Sequence, residues 1–183
     1  MPEMDQYGSP MKEYRLLPVL YSPGFCHFSE YFPPMFRSFP EKETHVDLTI
    51  ETSNKLIFIE AKYKADISKN TTHDPNRDQI IRNLDVGSWA AKKRAKEFYF
   101  ILLTLKTNTY SIDKFNYYKS NPSNIIEKIG SYRKDIKDYA ALCQNIHVVC
   151  WDQILNSLQN IQTANKSELN FANVIDYLND KIF

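Results

Sequence analysis

The chain has 183 residues, of which 43% are hydrophobic and 25% are charged, and its formal net charge is +1. This length suits one well-buried domain, and a charge so close to zero excludes a global field that draws the protein to nucleic acid or anionic lipid. No segment approaches the roughly 20 apolar residues of a membrane span, and the acidic, polar N-terminus is not a secretory signal.

Residues 1–34 are expected to be an irregular segment that packs on the rest of the chain. Most of the prolines and many aromatic residues fall in the first 44 positions, and proline interrupts regular structure. In this part we predict only a short helix near 11–17 and a strand near 35–39. The remainder, 35–183, is predicted to form a single α/β domain.

Two strands joined by a two-residue turn are predicted within 45–63. Both arms are rich in β-branched and aromatic residues, and the polar pair Ser53-Asn54 lies between them, which is typical of a β-hairpin. A two-residue turn places Thr52 opposite Lys55, and this pairing fixes the register of every other residue in the two strands.

The predicted register brings two acidic residues together. Asp47 lies opposite Glu60, with Cα atoms about 4.5–5.5 Å apart, and Lys62 points the same way because side chains repeat with period two. Neighbouring carboxylates repel unless a cation lies between them. A solvated strand face carrying a cross-strand charge pair is the alternative. The opposite, apolar face is expected to contain Val46, Leu48, Ile50, Ile57, Ile59 and Ala61.

The later elements alternate between helices and strands. Asp74-Pro75 is a typical helix start, so a helix is predicted at 75–96. The apolar run at 97–105 is predicted to be a strand covered on both faces, and the aromatic residues at 110–118 a packed loop, with base stacking as the alternative. Further elements are helical segments within 122–143, a strand at 146–150 and helices at 151–158 and 168–178. This order predicts a mixed α/β sandwich around one sheet.

Val46-Asp47, followed on the next strand by Glu60-Ala61-Lys62, resembles the signature of the PD-(D/E)XK nuclease superfamily. That family places its acidic residues on two adjacent strands, followed by a helix that often carries a glutamine and then by a buried strand. The residue before the first acid is valine here, where the family usually has proline.

The helix predicted after the hairpin strengthens the resemblance. Gln79 shares a helix face with Arg82 and Asn83, at positions i+3 and i+4, and the strand and helix at 146–154 are similar to the last elements of many such domains. The resemblance covers roughly 35–160. It implies a restriction-endonuclease-like fold, a three-layer sandwich in which helices flank a central mixed β-sheet.

The resemblance also implies a function, the metal-dependent hydrolysis of DNA by a restriction or mobile-element endonuclease. Carboxylate and backbone carbonyl oxygens are hard ligands that suit Mg²⁺, for which Mn²⁺ can substitute. The implied metal ligands are Asp47, Glu60, the backbone carbonyl of Ala61 and, as the N-terminal acid that many members have, Glu30. The implied catalytic residues are Asp47, Glu60, Lys62 and Gln79. The basic residues expected to hold flanking phosphates are Lys64, Lys69, Arg77 and Arg82.

Other interpretations remain open from the sequence. The fold without the chemistry gives an idle module that binds nucleic acid or a protein partner, and an RNA-directed nuclease is a third hypothesis. Lys62 has a structural alternative as the salt-bridge partner of Glu60 or Glu51. Cutting both strands of a duplex with one site per chain favours a homodimer. The composition predicts a cytoplasmic protein with reduced cysteines and no membrane partner.

Overall fold

The computed structural model describes residues 44–71, 77–164 and 171–182, together with the backbone of Phe25–Tyr31. In these ranges five strands form one sheet, and their order in the sheet follows the chain. The strands are β1 (Phe25–Tyr31), β2 (Thr44–Glu51), β3 (Lys55–Ala61), β4 (Glu97–Thr104) and β5 (Ile146–Cys150). The helices are α1 (Gln79–Lys93), α2 (Thr109–Ser120), α3 (Pro122–Ile129), α4 (Tyr139–Gln144), α5 (Trp151–Ala164) and α6 (Ala172–Ile182).

The sheet is mixed, as the sequence predicts. β1, β2 and β3 form an antiparallel meander, whereas β4 and β5 add to it in parallel. The parallel connections run through α1 and then through α2–α4. α1 contacts α3, as expected if right-handed crossovers place these helices on one face of the sheet. The α/β class is therefore confirmed, and the architecture is compatible with a three-layer sandwich. Among the helices of the described ranges, none has the length and apolarity needed to cross a bilayer.

The hairpin turn has the predicted geometry. The Thr52 N–H donates to the Lys55 carbonyl at 2.9 Å, and the Lys55 N–H donates to Thr52 Oγ1 at 3.0 Å. The antiparallel pairs run from Glu51–Leu56 to Leu48–Ile59, in the register that the two-residue turn dictates. Asp47 lies one residue beyond the last of these pairs.

A β-bulge in β2 redirects the side chains near Asp47. Between the pairs Thr49–His27 and Val46–Ser29, β1 advances by two residues and β2 by three. An extra residue in one strand locally reverses the alternation of its side chains. Both Val46 and Thr49 are therefore buried, and Asp47 between them is exposed.

The buried face of β3 is not the one that the sequence indicates. Leu56, Phe58 and Glu60 are each at most 1% exposed, whereas Ile57 and Ile59 on the opposite face are only half-buried. The prediction was wrong because apolar residues occupy both faces of this strand. The helical layer covers the face that includes Glu60.

β4 shows the same asymmetry. Phe98, Phe100 and Leu102 are buried on the helical side, but Tyr99 and Ile101 on the other side are half-buried. The strand is thus not covered equally on both faces, contrary to the prediction.

α1 approaches the sheet closely at a glycine. A Cβ atom added to Gly87 would lie 2.2 Å from a ring carbon of Phe98 and 2.9 Å from one of Phe58. These two rings meet edge to face with centroids 5.2 Å apart. Only a residue without a side chain permits this approach, which brings the first turns of α1 over β3.

α1 begins later than the sequence predicts. Asp78 is its N-cap, because its Oδ1 accepts the Ile81 N–H at 2.9 Å. A second bond secures the cap, in which the buried Tyr118 hydroxyl donates to Asp78 Oδ2 at 2.6 Å. The predicted start at Asp74-Pro75 lies outside the described residues.

Several other expectations are corrected. β1 falls inside the segment predicted to be irregular, so this part of the N-terminal prediction is wrong. The aromatic residues at 110–118 form helix α2 rather than a loop, and α5 extends to Ala164. The helix predicted near 11–17 and the strand predicted near 35–39 lie outside the described residues. β4 and β5 agree with the sequence prediction to within one residue.

A buried ion network ties α1 to the segments on either side of it. The Asp85 carboxylate, which is fully buried, accepts from Arg77 at 2.7 Å and from Arg133 at 2.6 Å. The Tyr132 hydroxyl donates to the same carboxylate at 3.0 Å. Arg133 also pairs with Asp135, with the closest contact at 2.8 Å. Each of the two guanidinium groups therefore has a carboxylate partner.

Replacing Asp85 by alanine is expected to destabilise the fold strongly. The change leaves two buried guanidinium groups without their shared carboxylate, and breaking a buried pair in this way costs about 3–5 kcal/mol. Urea unfolding followed by circular dichroism measures the loss. The control is Lys92→Ala, because Lys92 pairs with Asp135 but is 54% exposed, and its loss should be at most about 1 kcal/mol. Equal losses for the two variants would contradict the assigned role of Asp85.

Candidate active site

The carboxylate of Glu60 is held by three donors, one from the residue that follows β3 and two from α1. Lys62 Nζ lies 2.7 Å from Oε1 and Gln79 Nε2 lies 2.6 Å from the same oxygen. Asn83 Nδ2 reaches Oε2 at 3.1 Å. Glu60 is only 1% exposed, so its carboxylate lies inside the fold, between the end of β3 and the start of α1.

The start of α1 is positioned to meet Glu60. Gln79 is the first residue of the helix and Asn83 follows at i+4, so both amides project from one face. The Gln79 N–H donates to the Ser68 carbonyl at 3.2 Å. Lys114 lies 3.3 Å from the capping carboxylate of Asp78. These contacts fix where the helix begins and, with it, where the two amides lie.

Asp47 reaches the same place from β2. Its Oδ2 accepts the backbone N–H of Ala61 at 2.9 Å, and Ala61 directly follows Glu60. The charge of Asp47 also acts on the Glu60 carboxyl group, whose pKa it raises. The bulge in β2 therefore leaves Asp47 beside the buried acid while keeping its carboxylate exposed to solvent.

Lys62 continues the path of β3 beyond the sheet. Its N–H donates to the Leu103 carbonyl at 2.7 Å, and its own carbonyl accepts from Trp151 Nε1 at 3.3 Å. The side chain of Lys62 is 16% exposed, so the ammonium group lies between the buried carboxylate and the solvent. The structure thus brings together all four residues that the sequence assigns to catalysis, Asp47, Glu60, Lys62 and Gln79.

The environment of Glu60 disfavours its ionised form. Burial is the largest cause, and it raises the pKa of Glu60 from 4.5 to about 7. The hydrogen bond from Lys62 lowers the pKa, but the charge of Asp47 acts against it. Near neutral pH this carboxyl group is therefore balanced between its two forms, and an added cation would favour the ionised one.

The hard oxygen donors that the described residues bring to the site are few. In the described part of the chain no group of three or more His, Cys, Asp or Glu side chains is placed to hold a metal ion. The site offers two carboxylates, Asp47 and Glu60, with the backbone of Ala61 beside them. Mg²⁺ is commonly bound by one or two carboxylates, with water and substrate phosphate as the other ligands. Glu30 belongs to β1 and pairs with His45, but its side chain lies outside the described residues.

The basic residues expected to hold phosphates separate into two groups. Arg77 is 3% exposed and pairs with Asp85, so it belongs to the buried network and is removed from the phosphate-binding candidates. Arg82 is half-buried, and its Nε donates to Thr44 Oγ1 at 3.0 Å. Lys64 and Lys69 are exposed beyond the end of β3 and remain candidates.

Sequence reasoning did not assign a role to Asn83, although it placed this residue on the same helix face as Gln79. The signal was the i+4 spacing, which sets a second amide one turn along the helix. The spacing does not reveal that Glu60 is buried. Only a buried carboxylate requires a second amide donor, so no role for Asn83 followed from the sequence.

Comparisons with known proteins yield no relatives for this chain. It matches no protein-family model, no curated protein and no solved structure. Any functional conclusion therefore depends on the geometry and chemistry of the site itself.

The raised pKa of Glu60 predicts that stability without metal depends on pH. The folded pKa is about 7 and the ordinary value 4.5, so the favourable contribution of protonated Glu60 is complete below pH 4.5 and is lost as the pH rises through 7. The loss is on the order of 3 kcal/mol. Glu60→Gln mimics the neutral form and should be the more stable protein at pH 8.

Urea unfolding between pH 5 and pH 8 tests this expectation, with the two proteins compared at each pH so that the other titrating groups cancel. Glu127→Gln is the control, because Glu127 is 67% exposed. If the stabilities of the wild type and Glu60→Gln follow parallel curves over this range, the proposed titration of Glu60 is wrong.

Proposed function

We propose that this protein is a metal-dependent nuclease that hydrolyses phosphodiester bonds in DNA. The observation that carries the proposal is the buried carboxylate of Glu60, which has the ammonium group of Lys62 on one side and the second acid, Asp47, close by. Such a combination of acids and an amine suits a hydrolytic reaction at a phosphate group, which needs charge neutralisation and an activated water.

The contact between Lys62 and Glu60 by itself also fits a structural salt bridge. The second carboxylate favours the catalytic interpretation, because Asp47 opposes the ionisation of Glu60 and a purely structural pair gains nothing from it. Strongly shifted carboxyl groups with a specific charged neighbour are concentrated at functional sites. The cost in stability at neutral pH has a function if a cation binds there.

The residues divide into ligands and supporting groups. Asp47, Glu60 and the Ala61 carbonyl would hold Mg²⁺ or Mn²⁺, which when bound polarises the phosphate and lowers the pKa of a water molecule. Lys62 donates a hydrogen bond to a non-bridging phosphate oxygen or to the attacking water. Gln79, together with Asn83, orients the Glu60 carboxylate through the 2.6 Å and 3.1 Å hydrogen bonds.

The order of the elements supports the resemblance to the PD-(D/E)XK superfamily. The two acids belong to adjacent antiparallel strands, the glutamine opens the following helix, and β4 pairs in parallel with the strand of Glu60. The restriction-endonuclease-like fold is proposed on this order together with the site. If the substrate is a duplex that is cut on both strands, a homodimer in which each copy acts on one strand is part of the same proposal.

Cleavage of supercoiled plasmid DNA in the presence of Mg²⁺ or Mn²⁺ tests the function. The wild type is expected to nick or linearise the plasmid, and Glu60→Gln or Lys62→Ala should lower the rate at least about 100-fold, because each removes charge that acts on the phosphate or its ion. The matched controls are Glu127→Gln and Lys128→Ala, which alter a surface Glu–Lys pair with a contact of 3.2 Å.

Full activity in both site variants would remove these residues from the mechanism. Absence of cleavage on plasmid and single-stranded DNA, with either metal and in the folded wild type, would contradict the proposal.

One observation favours the alternative of an idle nuclease-like module. Both oxygens of Glu60 already have protein donors, so a structural role accounts for part of the site. Isothermal titration with Mn²⁺ separates the two functions. We expect wild-type binding that weakens at least about tenfold in Asp47→Asn, with Asp176→Asn on the exposed side of α6 as control.

The pH dependence of this binding provides a second test. Since the ion needs ionised Glu60, its affinity should rise as the pH increases from 6 to 8. Binding that is equal in the wild type and Asp47→Asn would support the idle module.

A further inference from the structure

A cavity lies directly beyond the candidate active site. Its volume is about 350 Å³, and its walls come from the segments that follow β3 and β4. These parallel strands end side by side, and ligands of α/β proteins commonly bind outside the carboxyl ends of such strands. Tyr63 is the first residue of the wall, and it follows Lys62 by one peptide unit, about 3.8 Å between Cα atoms.

The cavity has the chemistry of a nucleotide subsite. Two tyrosines, Tyr63 and Tyr110, belong to its lining. Each carries a lysine ammonium group over its ring, with Lys64 Nζ 5.2 Å from one centroid and Lys69 Nζ 5.1 Å from the other. Aromatic faces stack on bases, and adjacent cations attract the phosphates that those bases carry.

The carboxylate of Asp66 indicates which part of a nucleotide would enter the cavity. Asp66 also lines the cavity, and among the residues that the structure describes it has no hydrogen-bond or ion-pair partner. A carboxylate repels phosphate but accepts hydrogen bonds from the N–H groups of a base. The base would therefore lie in the cavity, and the phosphate would lie near Lys64 and Lys69.

The wall is held in place before any ligand binds. Asn108, the N-cap of α2, accepts the Ser111 N–H at 3.2 Å and donates to the Ala65 carbonyl at 3.0 Å. Ser111 Oγ accepts the Ile67 N–H at 3.0 Å. These bonds join the segment after β3 to the start of α2, so the two tyrosine-bearing walls are linked.

We propose that this cavity takes the unpaired base of a nucleotide next to the scissile phosphate, so that the preferred substrate is single-stranded DNA or a duplex with an unpaired end. This inference rests on the proposed nuclease function. A base within a duplex must leave its stack to enter a pocket, which costs a few kcal/mol, whereas an unpaired base does not pay for this step.

Fluorescence anisotropy with a labelled single-stranded oligodeoxynucleotide, and with the blunt duplex of the same sequence, tests the inference. The measurements use Glu60→Gln without divalent ions, so that binding is observed without cutting. The single strand should bind more tightly than the duplex, and adding Tyr110→Ala should weaken single-strand binding about tenfold. Tyr110→Phe keeps the ring and should bind as the parent does.

The matched control is Tyr117→Ala, which removes a tyrosine that is 46% exposed on the same helix but is not part of the cavity lining. Equal single-strand affinity with and without the Tyr110 ring, or preference for the duplex in every variant, overturns the inference. Plasmid cleavage that persists in that case leaves the proposed function intact. A different outcome would contradict the nuclease function and not the inference about the cavity. In that outcome single strands bind in a way that depends on Tyr110, but the wild type cuts no DNA.

Discussion

The structure around the candidate site depends on a carboxylate that lies inside the fold. Glu60 occupies a position on β3 that would otherwise continue the apolar row of Leu56 and Phe58. Three donors compensate for its burial, two of them from the first turns of α1. Helix and strand are therefore joined by polar bonds at one end and by close apolar packing at Gly87.

Different residues of α1 contact the candidate site and the buried ion network. Gln79 and Asn83 face the sheet, whereas Asp85 binds Arg77 before the helix and Arg133 well after it. Arg77, Asp85 and Arg133 are buried, so they hold the helix in position and are not accessible to a substrate. The candidate site has a different character, because Glu60 on β3 is buried whereas Asp47 on β2 remains open to solvent. The network thus bears on stability, whereas the burial of Glu60 bears on both the stability of the fold and the properties of the candidate site.

The sequence predicted features that follow from local chemistry and missed those set by distant contacts. Turn chemistry at Ser53-Asn54 determined the hairpin register, and period two brought Glu60 and Lys62 together. The bulge at Asp47 could not be predicted, because it depends on pairing with β1. Both Asp74 and Asp78 are suitable N-caps, and contacts from Tyr118 and Lys114 secure the second. Likewise, the sequence predicts that Arg77 is an exposed basic residue, because its burial beside Asp85 depends on a contact that the sequence does not reveal.

The bulge in β2 meets two requirements that a regular strand could not meet together. With the extra residue present, Val46 fills the core while Asp47 faces outward beside Glu60. Strict alternation from the buried Thr49 would instead turn Asp47 into the core and Val46 towards solvent. One irregular step in the backbone thus decides which of two adjacent side chains is sequestered in the interior and which stays hydrated.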